Sequence, residues 1–264
     1  MKKKQYLFGT SEWATFNANF INGCKNNCKY CYAKEMAIRF QRKKAENWVE
    51  EVVNKKKLNG KYPKKNGYIM FPSSHDISPE NVDFALFFIA NLLQSGNQVL
   101  IVTKAHLSVI IKICKTFVDF KDQLLFRITI GSTNSDTLKF WEPNAPSFEE
   151  RFEALQYAYN QGFQTSVSAE PVLDVNTQEL IDALLPYITD TIWVGKPNAL
   201  LKRIKMNEAD DEETIQKAKE LIDNQDEEWV LNLFDHNCEN SKIKWKESIR
   251  KILNIENNEI TELD

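Results

Sequence analysis

The feature that most constrains the fold is the recurring alternation of short apolar runs with helical patterns. Five runs have the length and composition of strands, at 68–71, 98–103, 125–130, 163–169 and 191–195. Weaker strand candidates lie at 13–21 and 228–234. Helical patterns cover 32–57, 80–95, 105–118, 148–161, 177–187, 211–224 and 242–254. Because strand and helix recur roughly every thirty residues, the sequence predicts βα units and a parallel sheet.

Several predicted helices carry end signals. Ser78 followed by Pro79 predicts an N-cap with proline at the first helical position. Ser147 and Glu150 form a predicted capping box, and Gly162 predicts the end of the same helix.

Polar and apolar residues alternate within the strands, and this pattern bears on how the sheet is closed. One face of the strands carries Asn17, Asn19, Arg127, Thr129, Ser166, Ser168 and Glu170. A sheet covered by helices on both faces would read as continuous Val, Ile and Leu. The alternation therefore favours a partial (βα)6-type TIM barrel of parallel strands, with helices outside and a polar, ligand-holding interior. A one-residue error in strand phase would reverse the faces.

Composition limits the function classes. The chain has 264 residues, of which 42% are apolar and 27% are charged. Its net charge of −3 argues against binding of nucleic acid over the whole surface, which needs clustered Lys and Arg. The start "MKKKQYLFGTSEWA" has no sustained apolar core, and the apolar run at 84–93 is too short to span a bilayer. With five cysteines, an odd number, we expect a reducing, cytoplasmic location and no membrane partner.

Three cysteines lie within eight positions, as Cys24-x3-Cys28-x2-Cys31. Structural zinc usually takes four ligands in two pairs, and no second pair exists. Cys114 lies in an apolar helix pattern and is expected in the core, while Cys238 is far away in the sequence. Three thiolates on one loop suit a cubane iron–sulfur cluster with one iron free of protein ligands. A zinc site remains the alternative.

The cysteine loop follows the first predicted strand and precedes the first helix, where parallel βα folds bind ligands. The motif, with Tyr30 before its last cysteine, resembles that of the radical S-adenosylmethionine (radical SAM) superfamily. The resemblance implies a [4Fe–4S] cluster on Cys24, Cys28 and Cys31. It also implies reductive cleavage of SAM to a 5′-deoxyadenosyl radical, which abstracts hydrogen from the substrate, and an electron donor such as a ferredoxin or flavodoxin.

Three further stretches resemble the spore photoproduct lyase branch of that superfamily: "FPSSHDISPEN" at 71–81, "VTKAHL" at 102–107 and the segment 128–155. The similarity runs from about residue 13 to 198. The chain lacks the Gly-Gly-Glu type sequence that many superfamily members carry after the second strand. We expect residues 1–200 to form the partial barrel and 201–264 a C-terminal extension that packs on or closes it.

The resemblance assigns cofactor roles to eight residues beside the cysteines. SAM would contact Tyr30, Tyr32, Ser73, Ser74, Lys104, Thr129, Ala169 and Glu170. Three of them have a plainer alternative: Tyr30 and Tyr32 as a shield of the cluster from water, and Lys104 as an ordinary solvated lysine after a strand. We expect structural roles for Glu142, in a turn with Pro143, and for Arg151, as a helix-surface charge.

The predicted polar interior suits a compact polar substrate. Within this branch, the queuine lyase activity fits, in which a radical SAM lyase releases a deazaguanine base. Candidate substrate contacts are Asn17, Asn19, Asp76, Arg127, Glu170 and Asn198, and Cys238 is a candidate hydrogen donor. The alternatives are a DNA or RNA lesion lyase, which would bind nucleic acid, and a non-catalytic iron–sulfur or zinc protein.

Overall fold

The structure is a computed structural model and describes residues 9–255. The strands are β1 Phe16–Asn17, β2 Ile21–Asn22, β3 Val52–Val53, β4 Tyr68–Phe71, β5 Gln98–Thr103, β6 Leu124–Thr129, β7 Gln164–Ala169, β8 Ile192–Val194 and β9 Ile243–Trp245. The helices are α1 Tyr32–Arg39, α2 Lys55–Leu58, α3 Val82–Gln94, α4 Leu107–Thr116, α5 Ser135–Trp141, α6 Phe148–Asn160, α7 Thr177–Leu184, α8 Leu200–Met206, α9 Glu212–Asn224, α10 Glu227–Asn237 and α11 Glu247–Leu253. Short 3₁₀ segments lie at Gly9–Glu12, Val118–Gln123 and Leu185–Tyr187. Within the described range, no helix is long and apolar enough to cross a membrane.

Seven strands form one sheet in the order β1-β4-β5-β6-β7-β8-β9, and every neighbouring pair is parallel. The sheet curls into a half-barrel with helices around it, which confirms the predicted partial TIM barrel. β2 and β3 form a separate antiparallel pair beside it. β9 extends the sheet, so the C-terminal segment supplies one edge strand.

The two faces of the sheet differ as the alternation predicts. Phe126 and Ile128 of β6 belong to the large core shared with the surrounding helices. On the opposite face, Leu125 packs in a smaller cluster inside the half-barrel, with Met70 and Leu100. Towards the carboxyl ends of the strands, this inner face carries Arg127 and Thr129 of β6 and Ser166 and Ser168 of β7, so the phase of these two strands is confirmed. Asn19, which was predicted to share this face, lies outside the strands.

Two C-terminal predictions need correction. The strand predicted at 228–234 is wrong: this stretch lies within α10. Asp226 caps that helix by accepting from Trp229 N, and Val230 and Leu233 are buried three residues apart, a helical spacing that was misread as a strand. The helix predicted over 242–254 begins later, because β9 precedes α11.

Two N-terminal predictions also differ. The long helix at 32–57 ends at Arg39, and the 13–21 strand is reduced to the short β1 and β2. Ser78 does not cap α3: its backbone N donates to Asn81 Oδ1 at 3.1 Å, and the helix begins after Asn81. Residues 78–81 form a turn that delays the helix. The N-cap at Ser147 and the helix end at Gly162 are confirmed. The reciprocal half of the predicted capping box is not, because the Glu150 carboxylate accepts from Leu107 N at 3.1 Å instead.

Candidate active site

A cavity of about 500 Å³ lies where strands β4 to β7 end. Its volume is in the range of small-molecule sites. Its lining also includes the cysteine loop, the start of the N-terminal 3₁₀ segment and residues around 196–198 and 246–248. All three clustered cysteines line it. The cavity therefore joins the predicted cluster site to a wall built from both ends of the described chain.

The cysteine loop depends on Gly23. This residue has φ +103°, and a Cβ placed on it would lie 2.5 Å from Glu50 O and 2.7 Å from Trp48 O. Its neighbour Cys24 donates its backbone N–H to Trp48 O at 3.0 Å. Glycine is needed here for both backbone conformation and close approach.

The far end of the loop is held by helices on both sides. Cys31 is the N-cap of α1, and its Sγ accepts from Lys34 N at 3.4 Å. Asn207, at the end of α8, donates to the carbonyl oxygens of Lys29 and Cys31, each at 3.0 Å. Segments far apart in sequence thus fix the loop backbone.

The thiols of the loop are chemically available. All three are free, and no disulfide is formed by any of the five cysteines. Burial raises the pKa of Cys24, Cys28 and Cys31, so a metal must displace their protons. Among residues 9–255, no group of three or more His, Cys, Asp or Glu side chains is arranged so that it could hold a single metal ion. Three thiols without a fourth ligand are the donor set of a cluster with one open iron.

Asp76 connects the cysteine loop to the strand ends. Its Oδ2 accepts from Asn26 Nδ2 at 2.6 Å and from Lys104 N at 3.0 Å. Its Oδ1 accepts from Thr103 Oγ1 at 2.5 Å and from Ile77 N at 2.8 Å. These four bonds use the acceptor capacity of the carboxylate.

A second set of hydrogen bonds shapes the loop after β4. Asn19 donates to Ser73 Oγ at 2.7 Å, and its Oδ1 accepts from the backbone N of Ser73 and Ser74, at 2.8 and 3.0 Å. The Tyr32 hydroxyl donates to Ser73 O. Asn19 and Tyr32 therefore hold the two serines at the cavity.

A buried charge cluster centres on Glu142. Its Oε2 lies 2.5 Å from Arg151 Nη2, and its Oε1 lies 3.4 Å from Lys104 Nζ and accepts from the Tyr30 hydroxyl. Arg151 also donates to Thr129 O at 3.0 Å. Burial raises the pKa of Glu142, but the nearby cations outweigh it and bring the pKa below its usual value.

This cluster corrects the expectation that Arg151 is a helix-surface charge, since its side chain is fully buried. It also corrects the plainer interpretation of Lys104, which is 14% exposed rather than solvated. The ion pair between Glu142 and Arg151 was not predicted from the sequence. The two residues are nine positions apart and lie on either side of the break between α5 and α6, so no helical spacing relates them.

A second charge network at the cavity centres on the buried Lys246. Lys246 Nζ contacts Glu12, lies 3.3 Å from Glu170 Oε2, and donates to Gly9 O at 2.9 Å. Arg250 Nη2 lies 2.6 Å from Glu12 Oε1. Sequence reasoning missed Lys246 and Glu12, because nothing in the local pattern joins residues at opposite ends of the chain.

The radical SAM superfamily profile matches residues 18–185. The chain belongs to the radical SAM superfamily. Membership indicates an enzyme, and the cofactors of this radical SAM protein are a [4Fe–4S] cluster and SAM. The three-thiol donor set fits that cluster.

Among curated relatives, an uncharacterised protein of Methanocaldococcus jannaschii is 27% identical over 190 residues, covering 66% of this chain and 67% of that protein. An uncharacterised protein of Acidianus two-tailed virus is 24% identical over 176 residues, covering 60% of this chain and 56% of its own. This chain thus spans little more than half of the viral protein.

The radical SAM barrel resembles solved structures of spore photoproduct lyase. A variant with bound AdoMet and dinucleoside spore photoproduct has a TM-score of 0.51 and 16% identity, covering 80% of this chain and 65% of that chain. Another variant has a TM-score of 0.52 and 15% identity, with 89% and 78% coverage. At these identities the likeness shows the fold alone.

The radical SAM cavity gathers most of the residues predicted from sequence. Its lining includes Cys24, Cys28, Cys31, Tyr30, Tyr32, Ser73, Ser74, Asp76, Lys104, Thr129, Glu170 and Asn198. Five predicted residues are not among the lining residues: Asn17, Asn19, Arg127, Ala169 and Cys238. Asn17 donates to Thr10 Oγ1, and Ala169 is buried in the outer core.

The Arg127 side chain is hydrogen-bonded to other residues inside the barrel. It donates to Ser166 Oγ at 2.9 Å and to Asp190 Oδ2 at 3.0 Å, and lies 4.9 Å from the Trp13 ring centre. Burial lowers its pKa to about 10. Cys238 is exposed at the end of α10, where its Sγ lies 3.6 Å from Asp235 O.

Proposed function

We propose that this radical SAM enzyme breaks a bond in a small polar substrate, a modified nucleobase of the queuine type, as a lyase. The observation that carries the proposal is that one cavity is lined both by the three cysteines and by carboxylate, amide and ammonium side chains. A volume of about 500 Å³ suits small molecules rather than an extended polymer.

At one end of the cavity, Cys24, Cys28 and Cys31 would hold the cluster. When bound, the cluster and SAM supply the radical that abstracts a hydrogen atom. Lys104, paired with buried Glu142, would offer its ammonium group to the carboxylate of the methionine moiety. Ser73 and Ser74 would meet the same moiety.

Other lining residues would hold the remainder of SAM. Tyr30 and Tyr32 would flank it beside the cysteine loop, and Thr129, at the end of β6, would contact the ribose. Ala169 would contribute only backbone near the adenine, since its side chain packs into the outer core.

At the other end, Glu170 and Asn198 would recognise the substrate. Lys246 Nζ lies 3.3 Å from Oε2 of the Glu170 carboxylate, and Oε1 would accept a hydrogen bond from the substrate. An oxygen of this kind accepts from N–H groups such as those on a guanine-like edge. Asn198 offers both a donor and an acceptor.

The remaining sequence candidates fit positioning roles. Asp76 has its four acceptor positions occupied, so we assign it to holding the cysteine loop against the strand ends. Asn19 holds the serines, and Arg127 braces the barrel interior. We propose that 201–264 acts as an extension that supplies Lys246 to the wall. Five free cysteines support a reducing, cytoplasmic location.

Anaerobic reconstitution with iron and sulfide tests the enzymatic proposal. We expect a cluster whose electron paramagnetic resonance signal changes on SAM addition, and 5′-deoxyadenosine after reduction. Cys28→Ala should lose the cluster, while Cys114→Ala, a core cysteine, should retain it. Tight zinc binding with no SAM cleavage would instead support a non-catalytic metal protein.

Substrate class is tested by binding to the SAM-loaded holoenzyme. We expect free queuine to bind in a manner that Glu170→Gln weakens, with little dependence on salt. Duplex DNA binding that is present at 0.15 M NaCl and weakens as the salt concentration rises, together with no affinity for queuine, would favour a lesion lyase. That result would overturn the small-base proposal.

A further inference from the structure

The segment 39–65, which we name the basic strip, departs from the charge of the whole chain. It carries ten Lys and Arg residues against three Glu residues, a net charge of +7, in a chain whose net charge is −3. Nine of these cationic residues are exposed: Arg39, Arg42, Lys44, Lys55, Lys56, Lys57, Lys61, Lys64 and Lys65. Such clustered charge attracts acidic partners and steers their approach.

The N-terminal part of the basic strip, residues 39–49, also exposes apolar side chains. Phe40 is 57% exposed, and the guanidinium carbons of Arg39 and Arg42 each lie 5.6 Å from its ring centre. Val49 is exposed nearby in sequence. An exposed aromatic side chain flanked by arginines is typical of protein interfaces, where both residue types are enriched.

This end of the basic strip is close to the cluster cysteines. Trp48 packs on Cys24 and accepts its backbone N–H at 3.0 Å, and the next residue, Val49, is at the surface. Helix α1 runs from its cap at Cys31 to Phe40, about 13 Å at 1.5 Å per residue. The surface around Phe40 is therefore a short route to the metal site.

We propose that the exposed residues of segment 39–49, which include Phe40, Arg42, Lys44 and Val49, dock an acidic electron-transfer protein that reduces the cluster. This inference rests on the proposed function, because SAM cleavage requires an electron. One electron passes from the reduced flavin or iron–sulfur centre of the partner to the cluster. The partner is oxidised by one electron, and no atom crosses the interface.

Position favours a redox partner over nucleic acid. No residue of the basic strip lines the cavity. A nucleic-acid substrate would have to reach the cavity, whereas a reductant only has to approach the thiols from outside. Transient electron-transfer interfaces are small and rely on charge for rapid association, which matches a compact patch with one exposed aromatic.

The test compares two sources of electrons for the reconstituted holoenzyme. Formation of 5′-deoxyadenosine is measured with dithionite, and separately with increasing concentrations of enzymatically reduced flavodoxin. The triple variant Arg39→Glu, Arg42→Glu, Lys44→Glu reverses the charge of residues 39–50, where Glu46 and Glu50 are the only acidic residues. Its matched control, with the same charge change on exposed lysines elsewhere, is Lys115→Glu, Lys139→Glu, Lys219→Glu. Phe40→Ala tests the apolar contact.

We expect the triple variant to raise the KM for flavodoxin about tenfold or more, with the dithionite rate and the matched control unchanged. Phe40→Ala should raise the KM less, without added salt dependence. Equal flavodoxin dependence in the triple variant and its control would overturn the proposal. So would a triple variant that loses duplex DNA binding but keeps the wild-type KM for flavodoxin.

Calorimetric binding of oxidised flavodoxin to the same holoenzyme variants separates docking from catalysis. Loss of binding in the triple variant supports the docking face even if no SAM is cleaved. If the triple variant binds oxidised flavodoxin with the same affinity as the wild type, the docking face is contradicted. Absence of 5′-deoxyadenosine with dithionite would count against the proposed function alone.

Discussion

Arg151 Nη2 lies 2.5 Å from Glu142 Oε2, and both side chains are fully buried. The same carboxylate lies 3.4 Å from Lys104 Nζ, so it joins the barrel framework to a lysine that lines the cavity. A buried carboxylate in such a position requires its cations, because an unpaired charge in the interior is costly.

Arg151→Met should therefore reduce the free energy of unfolding by about 3–5 kcal/mol, since it leaves Glu142 without its guanidinium partner. Urea unfolding of the apo protein at neutral pH measures this. The double variant Arg151→Met, Glu142→Gln removes the uncompensated charge and should recover part of the loss. A single-variant loss below about 1 kcal/mol would contradict the role of this pair.

Gly23→Ala should weaken cluster assembly. The new methyl group would lie 2.5 Å from Glu50 O and 2.7 Å from Trp48 O, so the cysteine loop must shift. We expect a sharp fall in iron bound after anaerobic reconstitution. Gly96→Ala is the matched control: it also has a positive φ, but its Cβ would meet only Lys64 Cδ at 3.6 Å. Equal iron content in both variants would refute the argument.

His75 should make stability depend on pH. Burial lowers the pKa of His75 from 6.5 to about 4, and its Nε2 has no hydrogen-bond partner among residues 9–255. The unfolded chain therefore binds one more proton between these values, and stability falls as the pH drops through this window. The slope is about 1.4 kcal/mol per pH unit, or about 2 kcal/mol between pH 6.5 and 5.

His75→Phe should remove that slope while keeping the ring contacts with Phe20 and Phe71. Urea titrations at pH 5, 6 and 7 provide the measurement. His236→Gln, at an exposed position, should leave the slope as in the wild type. A slope that persists in His75→Phe would assign the proton uptake to another group.

Asp76→Asn distinguishes a positioning role from substrate contact. An amide in place of one carboxylate oxygen would face two donors and leave them without an acceptor. We expect SAM cleavage in the absence of substrate to slow by about 10- to 100-fold. A direct substrate contact would instead raise only the substrate KM, with this uncoupled cleavage unchanged.

Cys238→Ser should leave turnover unchanged, because Cys238 is exposed and outside the cavity lining. Steady-state product formation and deuterium incorporation from solvent check this. A variant that cleaves SAM normally but fails to complete product would restore the sequence-based prediction of a hydrogen-donating thiol.

Local patterns predicted much of this protein. The spacing of Cys24, Cys28 and Cys31 indicated the cluster, and the alternation in β6 and β7 gave the polar inner face. Both signals lie within short stretches, where strand pairing and backbone geometry act directly on neighbouring residues. The same local logic misread 228–234, because a short apolar run suits either a strand or a helix.

The sequence by itself determined the parallel half-barrel, the cysteine loop and the place of that loop at the strand ends. Only the tertiary structure decided which charged side chains are buried together. Lys246, which follows β9, reaches Glu12 near the other end of the chain and Glu170 after β7, and Arg151 meets Glu142 across a helix break. Such pairs form where folding brings distant backbone together and excludes water, so no spacing along the chain encodes them.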